Sequence, residues 1–143
     1  MSQVVLSSIY DRIKTPTSAG SIHALVSGRI YQIEGPQSLT LPALVFAIES
    51  NDTETYFGQS VKSMQTLDVL FTILFPATAA RAVSTAMAVE TALFARLNRV
   101  SITPSDASYT SIETYALSRG VPQIDEDFIR IETTYRCLAV KDT

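Results

Sequence analysis

An α+β subunit is what the sequence predicts: a mostly antiparallel sheet with N-terminal helices and one long helix packed on one face. Three observations carry this. Apolar residues near the start recur at helical spacing, and two runs, Ser63 to Phe75 and Asp127 to Val140, alternate apolar and polar residues with period two. Between those runs lies one alanine-rich stretch whose apolar positions return every three or four residues. Like elements therefore come in blocks, which argues against a doubly wound sheet built from alternating strands and helices.

Taken in order, Val5, Leu6, Ile9 and Ile13 define a first helix with Ser2 as its N-cap, ending near Lys14 because Pro16 disfavours helix at Thr15. A second, short helix follows. Ser18 or Ser21 caps it, Ile22, Leu25 and Val26 share a face, and Gly28 stands at its C-terminal side. Arg29 to Ile33 alternates as a short strand before the Gly35-Pro36 turn, and Ala43 to Glu49 forms a second strand. Pro42 stands at its start, where a missing ladder donor is tolerated. The polar stretch Asn51 to Lys62 reads as a loop or protruding hairpin tip. In the strand Ser63 to Phe75, residues Leu67, Val69, Phe71, Ile73 and Phe75 share one face, and Pro76 ends it.

Thr78 is then expected to cap a helix over Ala79 to Asn98. Ala82, Ala86, Val89, Leu93 and Leu97 form its apolar stripe, leaving Arg81, Glu90, Arg96 and Arg99 to solvent or partners. Val100 to Thr103 and Ser111 to Leu117 are short strands. The last strand sets Ile129, Ile131, Tyr135, Cys137 and Ala139 opposite Arg130, Glu132 and Arg136.

Length and composition bound the function. The 143 residues suit a single domain, 1–143, able to bury roughly 70% of its unfolded surface. A hydrophobic content of 46% and a formal charge of −3 exclude a disordered chain and a broad nucleic-acid-binding face. Met1 to Tyr10 lack the features of a signal peptide, and prolines interrupt the uncharged stretches, so no membrane segment is expected and the chain reads as soluble and intracellular at synthesis. Only 25 residues are charged while 32 are Ser or Thr, which makes the polar surface hydroxyl-rich and cheap to desolvate against other protein.

Candidate chemistry is sparse. One cysteine, Cys137, permits neither an intrachain disulfide nor a cysteine zinc site, and on its alternating strand it reads as a buried small hydrophobe. His23 is the single histidine, and with 16 serines a Ser/His/Asp match is uninformative. Asp125, Glu126 and Asp127 lack the ligand spacing and internal glycine of a calcium loop, so they read as a solvated turn. Five glycines offer no phosphate-binding loop. No catalytic residue, metal or cofactor is expected, and the chain is not expected to be an enzyme.

Specific content enters at Gly28-Arg29-Ile30-Tyr31, followed by Pro36-Gln37 and then Leu41-Pro42-Ala43-Leu44-Val45-Phe46. Leu67-Asp68-Val69-Leu70-Phe71 precedes the alanine-rich Ala79 to Leu97, and Phe128-Ile129-Arg130-Ile131-Glu132 with Tyr135-Arg136 closes the chain. In order and spacing this series resembles the small tail-terminator (tail-completion) proteins of long-tailed phages and related tailed particles.

The resemblance implies an α+β virion subunit that assembles as a ring, usually a hexamer, on the head-proximal end of the tail tube. The ring would stop tube polymerisation and join the tail to the head or neck. Its implied partners are further copies of itself, the tail tube protein and a head-completion or neck protein, with genome DNA passing through the lumen without specific binding. Its implied place is the virion tail, assembled in the host cytoplasm. Tyr56, Phe57, Tyr109 and Ile124 are candidate contact residues in loops, the alternative being that each folds onto its own domain. Two other functions stay open: another head-tail junction adaptor or stopper ring, and a small hydrolase or ligand-binding domain. The last requires His23 in a cleft within hydrogen-bond reach of a nucleophile or carboxylate.

Overall fold

The computed structural model describes residues 2–32, 40–51, 55–56, 62–78 and 81–142. Among them, α1 (Ser2–Ile13) and α2 (Ile22–Leu25) lead into β1 (Ile30–Gln32), β2 (Ala43–Asn51), β3 (Thr55–Tyr56) and β4 (Lys62–Pro76). Then come α3 (Ala82–Leu97), β5 (Val100–Ile102), β6 (Tyr109–Ser118), β7 (Gln123–Ile124) and β8 (Phe128–Asp142). The strands form one sheet in the order β1-β2-β4-β8-β6-β5, with β3 on β4 and β7 on β8. Among the described residues only β1 and β2 pair in parallel, so the α+β, mostly antiparallel architecture expected from the sequence is the one observed.

The period-two pattern explains the core. Leu67, Val69, Phe71, Ile73 and Phe75 of β4 are all buried, beside Ile129, Ile131, Tyr135, Cys137 and Ala139 of β8. Leu44 and Phe46 of β2 stand opposite Ile73 and Phe71. Phe71 is sandwiched, stacking on Phe46 at 5.3 Å and meeting Tyr135 edge-on at 5.5 Å between ring centroids. The stripe Ala82, Ala86, Val89, Leu93 and Leu97 of α3 lies on this same face, joined by Val5, Leu6, Ile9 and Ile13 of α1 in one hydrophobic cluster.

The turn into the sheet has a visible cause. Ser21 caps α2 by accepting from the Ala24 N–H at 3.2 Å, and Gly28 takes φ +74° where its N–H bonds the His23 carbonyl at 2.7 Å. Arg29 then latches the next strand. Its Nε donates to the Pro42 carbonyl at 2.9 Å and Nη2 to the Leu41 carbonyl at 3.3 Å, while its own carbonyl accepts from the Leu44 N–H. The Gly-Arg-Ile-Tyr and Leu-Pro segments are thus two halves of one joint.

Several expectations need correction. β4 continues through Pro76, which pairs with Phe128, and the Ala77 N–H bonds the Asp127 carbonyl at 3.1 Å. The sheet holds the chain there, and α3 starts at Ala82 after a left-handed Arg81 (φ +56°), with no side-chain cap from Thr78. Of the two readings of the 51–62 stretch, loop or hairpin tip, the described part matches the hairpin, with β3 antiparallel to β4 and Thr55 and Tyr56 opposite Met64 and Ser63. The Gly35-Pro36 turn lies outside the described residues, as does the segment 79–80 where the sequence places the start of the helix.

Gly120 follows β6 and packs against the backbone of β8, where a Cβ would overlap the Glu132 carbonyl oxygen. Gly20 has open space but a φ of +85°. Gly120→Ala is therefore expected to cost more than about 3 kcal/mol or prevent folding, and Gly20→Ala only about 1 to 2 kcal/mol. Urea unfolding of the two variants side by side checks the order.

Candidate functional site

The residues that could have carried catalysis are scattered. His23 sits half-buried on α2, and a Cβ at Gly28 would lie 3.0 Å from its Nε2. Among the described residues the imidazole has no hydrogen-bond or ion-pair partner. Cys137 is fully buried on β8, and desolvation, with a smaller effect from Asp68, pushes its thiol up to about 12. Asp125, Glu126 and Asp127 form the exposed turn between β7 and β8, closed by the Asp125 N–H on the Phe128 carbonyl at 2.9 Å. Among the described residues no three acidic, His or Cys side chains gather as a metal site.

Polar side chains instead fasten elements together. Glu90 on the α3 flank is solvent-facing by its place in the sequence pattern, yet it is buried, because Arg119 folds over it with bonds of 2.6 Å to each carboxylate oxygen. The same guanidinium stacks on Phe94, 3.8 Å from the ring centroid. Nearby, burial and the Glu90 charge raise the Tyr135 phenol above its ordinary pKa, an effect that Arg119 and a hydrogen bond with Thr133 offset in part. On the opposite sheet face Arg136 grips Asp68 at 2.8 and 3.1 Å. That bond, with a second that the guanidinium donates to the Tyr115 oxygen, raises the Arg136 pKa.

What the fold exposes is apolar surface. The helices take one sheet face, while on the other Leu70, Leu74, Leu138 and Val140 are half-buried among threonines and the Asp68–Arg136 pair, with no helix of the described residues on them. A second exposed group lies at the sheet end where Pro76 meets Phe128. Val121 and Ile124 are 72% and 70% exposed, and Val83 and Met87 project from the start of α3. Beside the C-terminal end of α3 runs a cleft of about 860 Å³, lined by Phe94, Arg99, Val100, Glu113 and Tyr115 among others. His23 is not among its walls.

The four expected contact residues fare differently. Ile124 is exposed at the β7–β8 turn. Tyr109, expected to be exposed in a loop, opens β6 at 5% exposure with the Lys141 ammonium 5.9 Å above its ring, so it packs onto its own chain. Tyr56 lies in β3 opposite Ser63, and its side chain and all of Phe57 fall outside the described residues. Ile124 and Tyr109 stand apart, on β7 and at the start of β6. Met87, Val83 and Val121 escape a reading of the sequence: the first two look like one flank of an amphipathic helix, and the Arg119 latch is what draws the segment after β6 toward α3.

What the described residues bring together is thus a set of exposed surfaces on an α+β sheet. No protein-family model and no curated protein matches this sequence. Among solved structures, a chain of the virion of a native gene transfer agent (GTA) particle matches with a TM-score of 0.68 at 14% identity, over 96% of this chain and 95% of that one. The likeness establishes a shared fold along essentially the whole chain.

Two measurements follow. The Glu90 side chain is 10% exposed and Arg119 44%, so Arg119→Ala strands a buried carboxylate, whereas Glu90→Gln frees an arginine that reaches water. The first should lower the urea midpoint roughly twice as far as the second, or more. Chemical denaturation of both variants reads the asymmetry. The Cys137 thiol should resist iodoacetamide at pH 8 in the native state and react in urea. Its unfolded pKa is about 8.5, so the unfolded chain loses that proton first. The contribution of this group to stability is intact below that pH and should fall as pH rises from there toward 12.

Proposed function

We propose that the chain is a virion structural protein that forms a ring, a hexamer, on the head-proximal end of a tail tube, halts tube growth and joins the tail to the head or neck. The observation that carries this reading is the whole-length fold likeness to a chain of a gene transfer agent virion. The ordered series of motifs from Gly28 to Arg136 supports the finer assignment, since it resembles that of tail-terminator proteins. The surfaces suit this role. A ring needs two different contact surfaces per subunit, and this subunit offers a sheet face without helices and an apolar sheet end.

The partners in this reading are other copies of the chain, the tube protein and a head-completion or neck protein, with the virion tail as its place after assembly in the host cytoplasm. Six copies at −3 each carry −18, and a net negative ring lets DNA pass without the counterion release that would hold it. Ile124 is the proposed contact residue that stands ready on the surface, and Tyr56 and Phe57 remain proposed contacts from the sequence.

The experiment is native mass spectrometry and electron microscopy of the purified protein, with deletion of its gene from the producing particle. Six-membered rings and tails of uncontrolled length, or tails that fail to join heads, are expected. A chain that stays monomeric at all concentrations and is absent from assembled particles overturns the reading. A ring at another level of the neck would make it a junction adaptor instead.

A further inference from the structure

Two clusters of like charge stand at opposite ends of the sheet. At one end the β7–β8 turn presents Asp125, Glu126 and Asp127, all exposed and none in an ion pair among the described residues. Exposed Val121 and Ile124 flank it.

At the other end Arg12 of α1 and Arg96 of α3 lie side by side. Arg12 Nε donates to the Arg96 carbonyl at 3.0 Å, and Arg96 Nη2 donates to the Arg12 carbonyl at 2.8 Å. This reciprocal bonding fixes two positive charges together, and burial followed by the nearby Arg12 charge lowers the Arg96 pKa. Among the described residues Arg96 Nε is buried with no acceptor. The pair walls a pocket of about 220 Å³ with hydroxyls from Ser8, Ser101 and Thr103. Asp11 also lines it, but that carboxylate pairs with Lys14 at 3.0 Å. Ser101 is shared with the larger cleft, whose mouth carries exposed Arg99.

A subunit cannot bring these ends together itself. Ser101 registers with Glu113, and Glu113 with Leu138, ten residues along β8 from Phe128, a separation of roughly 33 Å at about 3.3 Å per residue. Guanidinium pairs are matched by carboxylates, which accept two parallel N–H bonds.

We propose that the Asp125–Glu126–Asp127 turn of one copy docks on the Arg12–Arg96 pocket of the next, with Ile124 entering the adjoining cleft. The inference rests on the proposed ring and names its subunit contact. Joining two different surfaces, the contact is heterologous and propagates around a closed ring.

The test is sedimentation velocity on three chains: Asp125→Lys/Glu126→Lys, Arg12→Glu/Arg96→Glu, and the combination of all four. Each pair alone should weaken assembly about tenfold or more, and the combination should restore most of it. Assembly of the native chain should also weaken with salt. Because Arg12 and Arg96 tie α1 to α3, a second variant leaves them intact: Glu126→Cys/Ser101→Cys should form disulfide-linked ladders beyond the dimer on oxidation, while neither single variant passes dimer. Turn-reversed chains that assemble as tightly as the native protein, or absence of ladders, overturn this contact while leaving the ring in place. So does duplex DNA binding that Arg12→Glu/Arg96→Glu abolishes with assembly unchanged, which assigns the pocket to phosphate. A native chain that never assembles overturns the ring itself.

Discussion

From Lys62↔Asp142 to Pro76↔Phe128, β4 and β8 stay in register without a bulge, and side chains along them alternate between two faces. A slip of one residue would turn Phe71, Ile73, Tyr135 and Cys137 out of the core together. That pairing makes the register costly to change, and the remaining elements are placed against it. β2 aligns Leu44 and Phe46 with Ile73 and Phe71, and β6 runs along the other side of β8. The alanines of α3 let its backbone approach the apolar face so formed. Even the start of α3 is set there, since the last pair of the ladder holds the chain until Ala77.

The polar interactions complement this core by joining segments that apolar burial alone would leave loosely related. Arg29 ties the β1 entry to the Leu41-Pro42 segment, Arg119 ties the β6–β7 connection to α3, and Arg12 with Arg96 ties α1 to α3. In each case an arginine spans two elements distant in sequence, using a planar array of donors that reaches carbonyls or a carboxylate with little geometric freedom. These ties stand beside three surface features: the acidic, apolar tip beyond β7, the arginine pocket near β5 and the helix-free sheet face.

A sparsely charged, hydroxyl-rich surface fits a part whose surfaces meet other protein, because Ser and Thr lose less on desolvation than Lys or Glu. Among the described residues Val83, Met87, Leu117, Val121 and Ile124 are the large apolar side chains left exposed.

The strands and the α3 stripe are legible in the primary structure because periodicity is local: Leu67 through Phe75 and Ala82 through Leu97 announce their buried faces without knowledge of any partner. The Gly28 turn and the inert character of Cys137 are legible for the same reason. Glu90 reads as solvent-facing in sequence because its burial depends on Arg119, 29 residues away, and Tyr109 reads as a loop contact because β6 begins earlier than its polar neighbours suggest. The sequence signal at Thr78 misplaces the start of α3 because pairing with β8 overrides it. For the surfaces the division is sharper. The acidic run Asp125 to Asp127 and the apolar Ile124 can be picked out in sequence, but the meeting of Arg12 with Arg96, 84 residues apart, has no local signature. Hydrophobic period and turn chemistry decide which elements form, while long-range pairing alone decides which of their side chains meet, and so where the surfaces lie.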